Sequence, residues 1–319
     1  MNSSPRAGSL CTGYGGLDMA VERVFGAELT WYSDIDPGPI RLLEHHYPTI
    51  PNIGDLTTVD WQQLAETMPV DILTAGYPCQ PFSVAGKKQG ANDDRHIWPH
   101  IAEGIRVLRP RIVVLENVAN HLRIGFPDVL GDLAALGYHA SWGVVRASDA
   151  GAPHHRARLF VVAADPNGFR HQWTEKDAET GGGGADLRSE IYLLANPDGE
   201  PRVERRPATA GETSSGQPLG EHRGRGGVPS SVEWGKYGPA VERWGRVIGR
   251  HAPDPQTTGP RGGKKVAPAF AEWMMGLPVG HVSEVPGLSI NQQLKLCGNG
   301  VVPQQAELAI RLLLPTLSL

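Results

Sequence analysis

What most constrains this chain is the alternation of short apolar runs with amphipathic stretches between residues 8 and 163. Strands are expected at 7–11, 29–33, 70–75, 111–115, 139–146 and 158–163, and helices at 17–25, 37–46, 60–66, 96–108 and 127–136. A strand–helix rhythm sustained this long implies an α/β fold of Rossmann-like type, a mostly parallel sheet with helices on both faces. The reason is that each parallel crossover needs about a dozen residues, which a helix supplies. Open sheets of this kind bind ligands beyond the C-terminal ends of their strands. Residues that carry chemistry just after a strand therefore decide what the chain does.

Two such positions stand out, and a glycine-rich turn precedes both. Val70-Asp-Ile-Leu-Thr-Ala-Gly-Tyr-Pro-Cys-Gln-Pro-Phe-Ser83 ends an apolar strand with Cys79 held between Pro78 and Pro81. Arg111-Ile-Val-Val-Leu-Glu-Asn-Val118 is a second apolar strand whose tip is expected to carry Glu116 and Asn117. Gly8-Ser-Leu-Cys-Thr-Gly-Tyr-Gly-Gly-Leu17 is a strand end running into a helix, where Gly13, Gly15 and Gly16 let a ligand approach the backbone closely. A lone thiol after a strand is more often packed than reactive. A thiol and a carboxylate on neighbouring strand tips are a much rarer conjunction.

Composition removes several function classes. No run approaches the roughly 20 apolar residues of a membrane span, and no secretory or transit signature opens the chain, so a cytoplasmic protein without a membrane partner is expected. Three cysteines without metal-ligand spacing argue against a disulfide scaffold or a zinc site. Cys11 and Cys297 read as packing residues. His96 and His100 lie four apart but have no third ligand nearby, so no metal is expected. The net charge of -4 hides an uneven distribution: residues 200–265 hold twelve Lys or Arg against seven Asp or Glu. A basic patch on such a chain is a permissible electrostatic footprint for DNA.

At Asp165 the composition changes. Residues 165–266 are rich in Gly, Pro, Arg and Glu, include Gly181 to Gly184, and show almost no sustained apolar periodicity. They are expected to form a smaller irregular lobe, a flexible insertion, or both. Ala164-Asp-Pro-Asn-Gly168 and Ala195-Asn-Pro-Asp-Gly199 read as turns. Regular structure resumes with Pro268-Ala-Phe-Ala-Glu-Trp-Met-Met-Gly-Leu-Pro278 and ends in a helix from Gln304 to Leu314, amphipathic enough to pack back on the first lobe. The expected division is 1–164, 165–266 and 267–319.

These segments, in this order, resemble the DNA (cytosine-5)-methyltransferases that use S-adenosylmethionine. Cys11-Thr-Gly-Tyr-Gly-Gly-Leu17 is similar to the family's cofactor turn, Ser33-Asp-Ile-Asp36 to its acidic strand end, and Gly54-Asp-Leu56 to its third cofactor segment. Pro78-Cys79-Gln80 resembles the nucleophile motif, Glu116-Asn117-Val118 the acid motif, His154-His-Arg-Ala-Arg158 the arginine motif, and Gly298-Asn-Gly-Val-Val-Pro303 the last cofactor motif. The match runs from Gly8 to Ala306 and omits residues 165–266, which would serve as the target-recognition lobe between a cofactor-binding and catalytic domain and its C-terminal return segment.

The resemblance implies a covalent mechanism. Cytosine C5 is a poor nucleophile, so the Cys79 thiolate would add to C6 and push electron density onto C5, which then takes the methyl group. Glu116, with its pKa raised in a closed pocket, would supply a proton or strong donor toward N3. Arg158 would hold O2 of the base, and Arg156 would pair with a local carboxylate or a phosphate. The C5 proton would leave to water or to a side chain. The cofactor would be held by Thr12, Gly13, Tyr14, Gly15, Gly16 and Leu17, with Asp34 on the ribose hydroxyls, Ile35 on adenine, and Asp55 on its amino group beside Leu56. Pro78, Asn299 and Val301 would complete that site. Gln80, Ser83, Lys87 and Asn117 would meet the substrate, a nucleotide rotated out of double-stranded DNA, and Phe82 to Arg95 would be a mobile, phosphate-seeking loop. Two alternatives keep part of this reading: tRNA as substrate, or a catalytically silent DNA-binding regulator. Monomeric action is expected, either as a solitary enzyme or beside a separately acting restriction endonuclease.

Overall fold

The computed structural model describes residues 4–78, 97–168, 232–259 and 262–317, with the short strands at 193–194 and 202–203. Six strands form the central sheet: β1 (Arg6–Leu10), β2 (Glu28–Ser33), β3 (Ile72–Ala75), β4 (Ile112–Val118), β5 (His139–Arg146) and β6 (Ala157–Ala164). Their spatial order is β2-β1-β3-β4-β6-β5. The pairs β1–β2, β1–β3 and β3–β4 are parallel, while β6 runs antiparallel to both β4 and β5. The sheet is thus mostly parallel, as the alternating pattern requires, with one reversed strand.

Side chains alternate across the sheet and divide its core in two. Leu10, Leu73, Val113, Leu115 and Val161 face one side, where they meet α3 (Trp61–Thr67), α4 (Trp98–Leu108) and α5 (Phe126–Ala135). Ala7, Ile72, Val114, Phe160 and Val162 face the other, against α1 (Gly16–Phe25) and α9 (Pro303–Leu313). Because α9 comes from the far end of the chain, the C-terminal segment completes the sheet's second face. Helix α2 (Pro37–His46) begins at Asp36, whose carboxylate accepts from Gly38 N–H at 3.1 Å, and Pro37 occupies the first helical position.

The predicted ends of these elements fall within about two residues of the observed ones, with one consequential exception. β4 continues through Glu116, Asn117 and Val118, which pair with Phe160, Leu159 and Arg158 of β6. Glu116 was expected at the tip of its strand and is instead inside it, because the antiparallel neighbour extends the ladder. Residues 232–258 also differ from expectation. They carry helix α6 (Gly238–Ile248) and strand β9 (Gln256–Thr258), which pairs with β10 (Lys264–Val266). Trp244 is fully buried in a third cluster with Tyr14, Tyr32, Leu42, Trp273 and Val302. Helices α7 (Pro268–Met274) and α8 (Ile290–Asn299) belong to this same unit. Strands β7 (Leu193–Leu194) and β8 (Arg202–Val203) form an antiparallel pair in a separate unit.

Candidate active site

The strand order reverses between β1 and β3: α1 carries the chain from β1 to β2 on one side, while β3 and β4 lie on the other. In open α/β sheets such a switch point marks the ligand-binding crevice, which here would lie beyond the C-terminal ends of β1 and β3. Gly76 follows β3 there, and its N–H donates to the Leu10 carbonyl at 3.2 Å. A Cβ at position 76 would sit 3.6 Å from the Cys11 carbonyl oxygen and 3.8 Å from Glu116 Oε2. The acid of β4 therefore borders the crevice although it lies within a strand.

Glu116 is buried, and burial pushes its carboxyl up to about 7, against the opposing pull of the Arg158 and Arg156 guanidiniums. Arg158 Nε lies 2.8 Å from Glu116 Oε1. The two residues sit diagonally on paired strands, Arg158 facing Val118 in the register, so the ladder itself brings them together. A carboxyl poised near neutrality beside a permanent cation can exchange a proton at physiological pH.

Arg156 behaves differently. It was expected to pair with a carboxylate or phosphate, but its guanidinium donates to the carbonyls of Gly298 at 2.7 Å and Gly300 at 2.6 Å. Its backbone takes a φ of +33°, so the turn before β6 aims the side chain toward those glycines, whose carbonyls α8 leaves without helical partners. Arg156 thereby ties the arginine motif to the last cofactor motif. Asn117 is likewise committed to the fold: its amide donates to the Tyr77 carbonyl at 3.1 Å and accepts from Val118 N–H at 2.8 Å. It was expected against substrate and instead holds the chain just ahead of Pro78. Tyr77 is further held by His121, whose Nε2 takes the phenol proton at 2.9 Å while Nδ1–H donates to Ile124.

The two glycine segments that were expected to meet the cofactor interlock. Tyr14 O–H donates to the Val301 carbonyl at 2.7 Å and the ring is buried. A Cβ on Gly300 would fall 1.9 Å from that ring, and one on Gly16 would fall 2.2 Å from the Val301 oxygen. These glycines permit contact within the protein. Gly13 and Gly15, at φ +60° and +81°, have open space where a Cβ would be or nearly so, and face a ligand more readily. Leu17, Leu56 and Val301 are buried core residues, and Thr12 Oγ1 donates to the Ser9 and Ser33 carbonyls. Asp34 receives Gly13 N–H and Asp36 N–H, each at 2.9 Å, and burial raises its carboxyl. Ile35 beside it is 67% exposed, an unusual place for a large apolar side chain. Asp55 Oδ1 holds Thr57 through its N–H and hydroxyl, and Asn299 is exposed at the end of α8.

Cys79, Gln80, Ser83 and Lys87, with the whole 82–95 loop and His96, lie outside the described residues. Among the described residues no group of three His, Cys, Asp or Glu side chains is arranged to hold a metal ion, and no helix is long and apolar enough to cross a membrane. Cys11 takes φ +51°, and burial together with Asp34 and Asp55 pushes its thiol up to about 12. Such a thiol stays protonated and inert, in keeping with a packing role.

Two contributors escaped the sequence reading. His281 Nε2–H donates to the Tyr14 carbonyl at 2.8 Å, and burial lowers the imidazole to about 4, which keeps it neutral. His46 stacks on it with ring centroids 4.3 Å apart. Asp18, in the first turn of α1, accepts from Ser9 Oγ at 2.9 Å and Thr74 Oγ1 at 2.6 Å, linking β1 and β3 beneath the crevice. No short motif marks either residue.

The fold and this arrangement define a Rossmann-like α/β protein with a buried acid and arginine beside its strand ends, and comparison with known proteins supplies its family. A family model for C-5 cytosine-specific DNA methylase matches residues 6–187. The type II methyltransferase M.NlaIV of Neisseria lactamica is 33% identical over 144 residues, covering 41% of this chain and 33% of that protein. M.NaeI of Lentzea aerocolonigenes is 33% identical over 170 residues, 52% of this chain and 41% of that protein. The chain thus spans well under half the length of these relatives. In three dimensions it resembles the S. pombe Dnmt2 methyltransferase, with a TM-score of 0.60 at 17% identity over 99% of this chain and 100% of that one. It also resembles the Entamoeba histolytica methyltransferase EhMeth, with a TM-score of 0.58 at 16% identity over 98% of each. At such identities these structures establish the fold alone. The chain belongs to the C-5 cytosine-specific DNA methylase family.

Proposed function

We propose that this chain transfers a methyl group from S-adenosylmethionine to C5 of cytosine in double-stranded DNA, through a transient Cys79 adduct at C6 of a base rotated out of the duplex. The observation that carries the reading is Glu116: buried, raised to about 7, bridged to Arg158 at 2.8 Å, and bordering the β1/β3 crevice. Family membership supports the reaction type, and the intact Cys79, Glu116 and Arg158 support an active enzyme over a silent regulator.

The residues present suit a nucleoside-type methyl donor. Gly13 and Gly15 leave open space at the start of α1, whose first turn has no side-chain cap, and Ile35 offers an uncovered apolar surface beside the Asp34 carboxylate. Asp34, Ile35, Asp55, Asn299 and the backbone of the 12–17 turn would hold S-adenosylmethionine, which supplies an electrophilic methyl group on a sulfonium. Everything else falls to the chain. Cys79 as thiolate adds to C6, so that the C5=C6 π electrons become available at C5. The negative charge that this addition would leave in the ring is met at N3 by the proton of neutral Glu116. Arg158 orients the carboxyl and donates to O2 of the base. Loss of the C5 proton to water or to a side chain then re-forms the C5=C6 bond and expels Cys79 as thiolate, and N3 returns its proton to Glu116. Extruding the base costs a few kcal/mol, which a basic surface along the duplex offsets; residues 200–265 have the charge for it.

Bisulfite sequencing of DNA from cells expressing the chain tests this directly. Methylated cytosine in a short defined context is expected, with none for Cys79→Ser. Methylated tRNA alongside unmodified DNA would shift the substrate, and a failure of 5-fluorocytosine duplex to trap the protein covalently in the presence of donor would sink the mechanism.

A further inference from the structure

Gln305 has no part in the chemistry above, yet it is fully buried on the face of α9 that otherwise presents Ala306, Ala309, Ile310 and Leu313. An apolar side chain would suit that face without the desolvation penalty of an amide. The amide is fully committed on one side: Nε2 donates to the Val145 carbonyl and to the Arg156 carbonyl, each at 2.8 Å, which uses both of its protons. Oε1 is buried without a hydrogen-bond partner, as is Nε of Arg156.

The two carbonyls it holds frame the mouth of the β5–β6 hairpin. Val145 is next to the last residue of β5, and Arg156 immediately precedes β6, whose ladder closes at Arg146 and Ala157. Arg156 is also where the backbone enters the left-handed region, which a non-glycine residue keeps only when its surroundings enforce it. Arg156 reaches the carbonyls of Gly298 and Gly300, and two residues on Arg158 reaches Glu116. A change of backbone at position 156 would swing both guanidiniums at once. We infer that Gln305 is a positioning residue: its amide clamps the strained Arg156 backbone to the end of β5, and by doing so sets Arg158 against Glu116 and Arg156 against the last glycine segment. The C-terminal helix is thus part of the machinery that orients the acid.

The catalytic side of this inference rests on the proposed function, so the deciding measurement avoids turnover. The carboxyl of Glu116 in the full chain, without DNA or donor, is titrated by carbon-13 NMR as a difference against E116Q, in wild type and in Gln305→Met. The Met variant matches the shape but donates nothing, so the Arg158–Glu116 bridge loosens and the midpoint rises above the wild-type value. Gln305→Glu, whose protonated carboxyl can restore one of the two bonds, gives a smaller rise and serves if Q305M does not fold. In turnover, Q305M lowers kcat about 100-fold, the loss that misplacement of catalytic groups from a distance can cause. Adding it to Arg158→Lys costs little more than that substitution alone, because both act through one pair. Unchanged Glu116 titration in the folded variants, or full additivity with R158K, overturns the inference. A wild-type chain that methylates no DNA would defeat the functional reading while leaving the titration to decide this one.

Discussion

Two buried glutamates in this protein are put to opposite uses. Glu272, on α7, is saturated by backbone: Oε1 accepts from Gly280 N–H at 2.8 Å, and Oε2 from Val282 N–H at 2.8 Å and Ser283 N–H at 2.9 Å. Among the described residues Glu116 is bridged by Arg158 alone, and its carboxyl rises to about 7. Burial by itself does not make a reactive acid. What separates the two is how many fixed N–H donors meet the carboxyl oxygens, three at Glu272 against the single arginine bridge at Glu116. The first arrangement holds the 276–283 loop in place, and that loop carries His281 against the Tyr14 carbonyl; the second, in the proposed reaction, keeps a proton available to the base.

The same substitution at both sites should break the comparison if it is wrong. Glu116→Gln is expected to lower kcat by roughly 100-fold to 10,000-fold, the range for losing a positioned acid, measured as radiolabelled methyl transfer to cytosine-containing duplex. Near-wild-type turnover would remove Glu116 from the mechanism. Glu272→Gln replaces an acceptor-only group by one whose NH2 must face a backbone N–H, and should destabilise the fold by about 3 kcal/mol. Denaturant unfolding would show this as a lower midpoint, and a midpoint equal to wild type would mean the three N–H groups find other partners.

Glu116 also carries a pH dependence of its own. Glu116 holds its proton more tightly folded, at about 7, than unfolded, at the ordinary value of 4.5. Its contribution is therefore complete below the unfolded value and is lost as pH rises through the folded one, a change of roughly 3 kcal/mol. Wild-type stability should carry this decline between pH 4.5 and 7, and E116Q should lack it; parallel stability profiles for the two proteins would contradict the raised carboxyl. The same proton sets a descending limb near pH 7 in kcat/KM of the wild type. The smallest expected effect is at the interlock of the glycine segments. Tyr14→Phe removes the bond to Val301 and should cost about 1 kcal/mol, visible as a slightly lower thermal midpoint. A KM for the methyl donor that does not move would show that the interlock supports the fold without shaping the cofactor site.

Much of this organisation was legible because it is local. Strand and helix periodicity in residues 8–163 depends on neighbours a few positions apart, and a proline or an Asp cap marks a helix start wherever it occurs, as at Pro37 and Asp36. Helix α6 was missed because Gly238, Pro239 and Gly245 dilute a buried stripe that consists of little more than Val241 and Trp244. The full length of β4 was missed because Glu116 and Asn117 look like a strand's end, and only pairing with β6 keeps them in the ladder. At the site, Glu116 and Arg158 were identified by motif. Arg156, Asn117 and Tyr14 were singled out as well, but their side chains hold backbone groups at 298–300, 77 and 301, which no spacing in the sequence reveals.

The amino-acid sequence alone determined the strands and helices of residues 8–163, where the glycine turn would stand, and the family they announce, since each depends on residue type and near-neighbour spacing. Tertiary structure alone decided that Arg158 meets Glu116, that Tyr14 closes on Gly300, and that Gln305 grips Arg156 from a helix 149 positions away. Those contacts exist because an antiparallel strand and a returning C-terminal helix bring distant segments within hydrogen-bonding range. Inside that packing, fixed donors and lost water set the charge of each buried group.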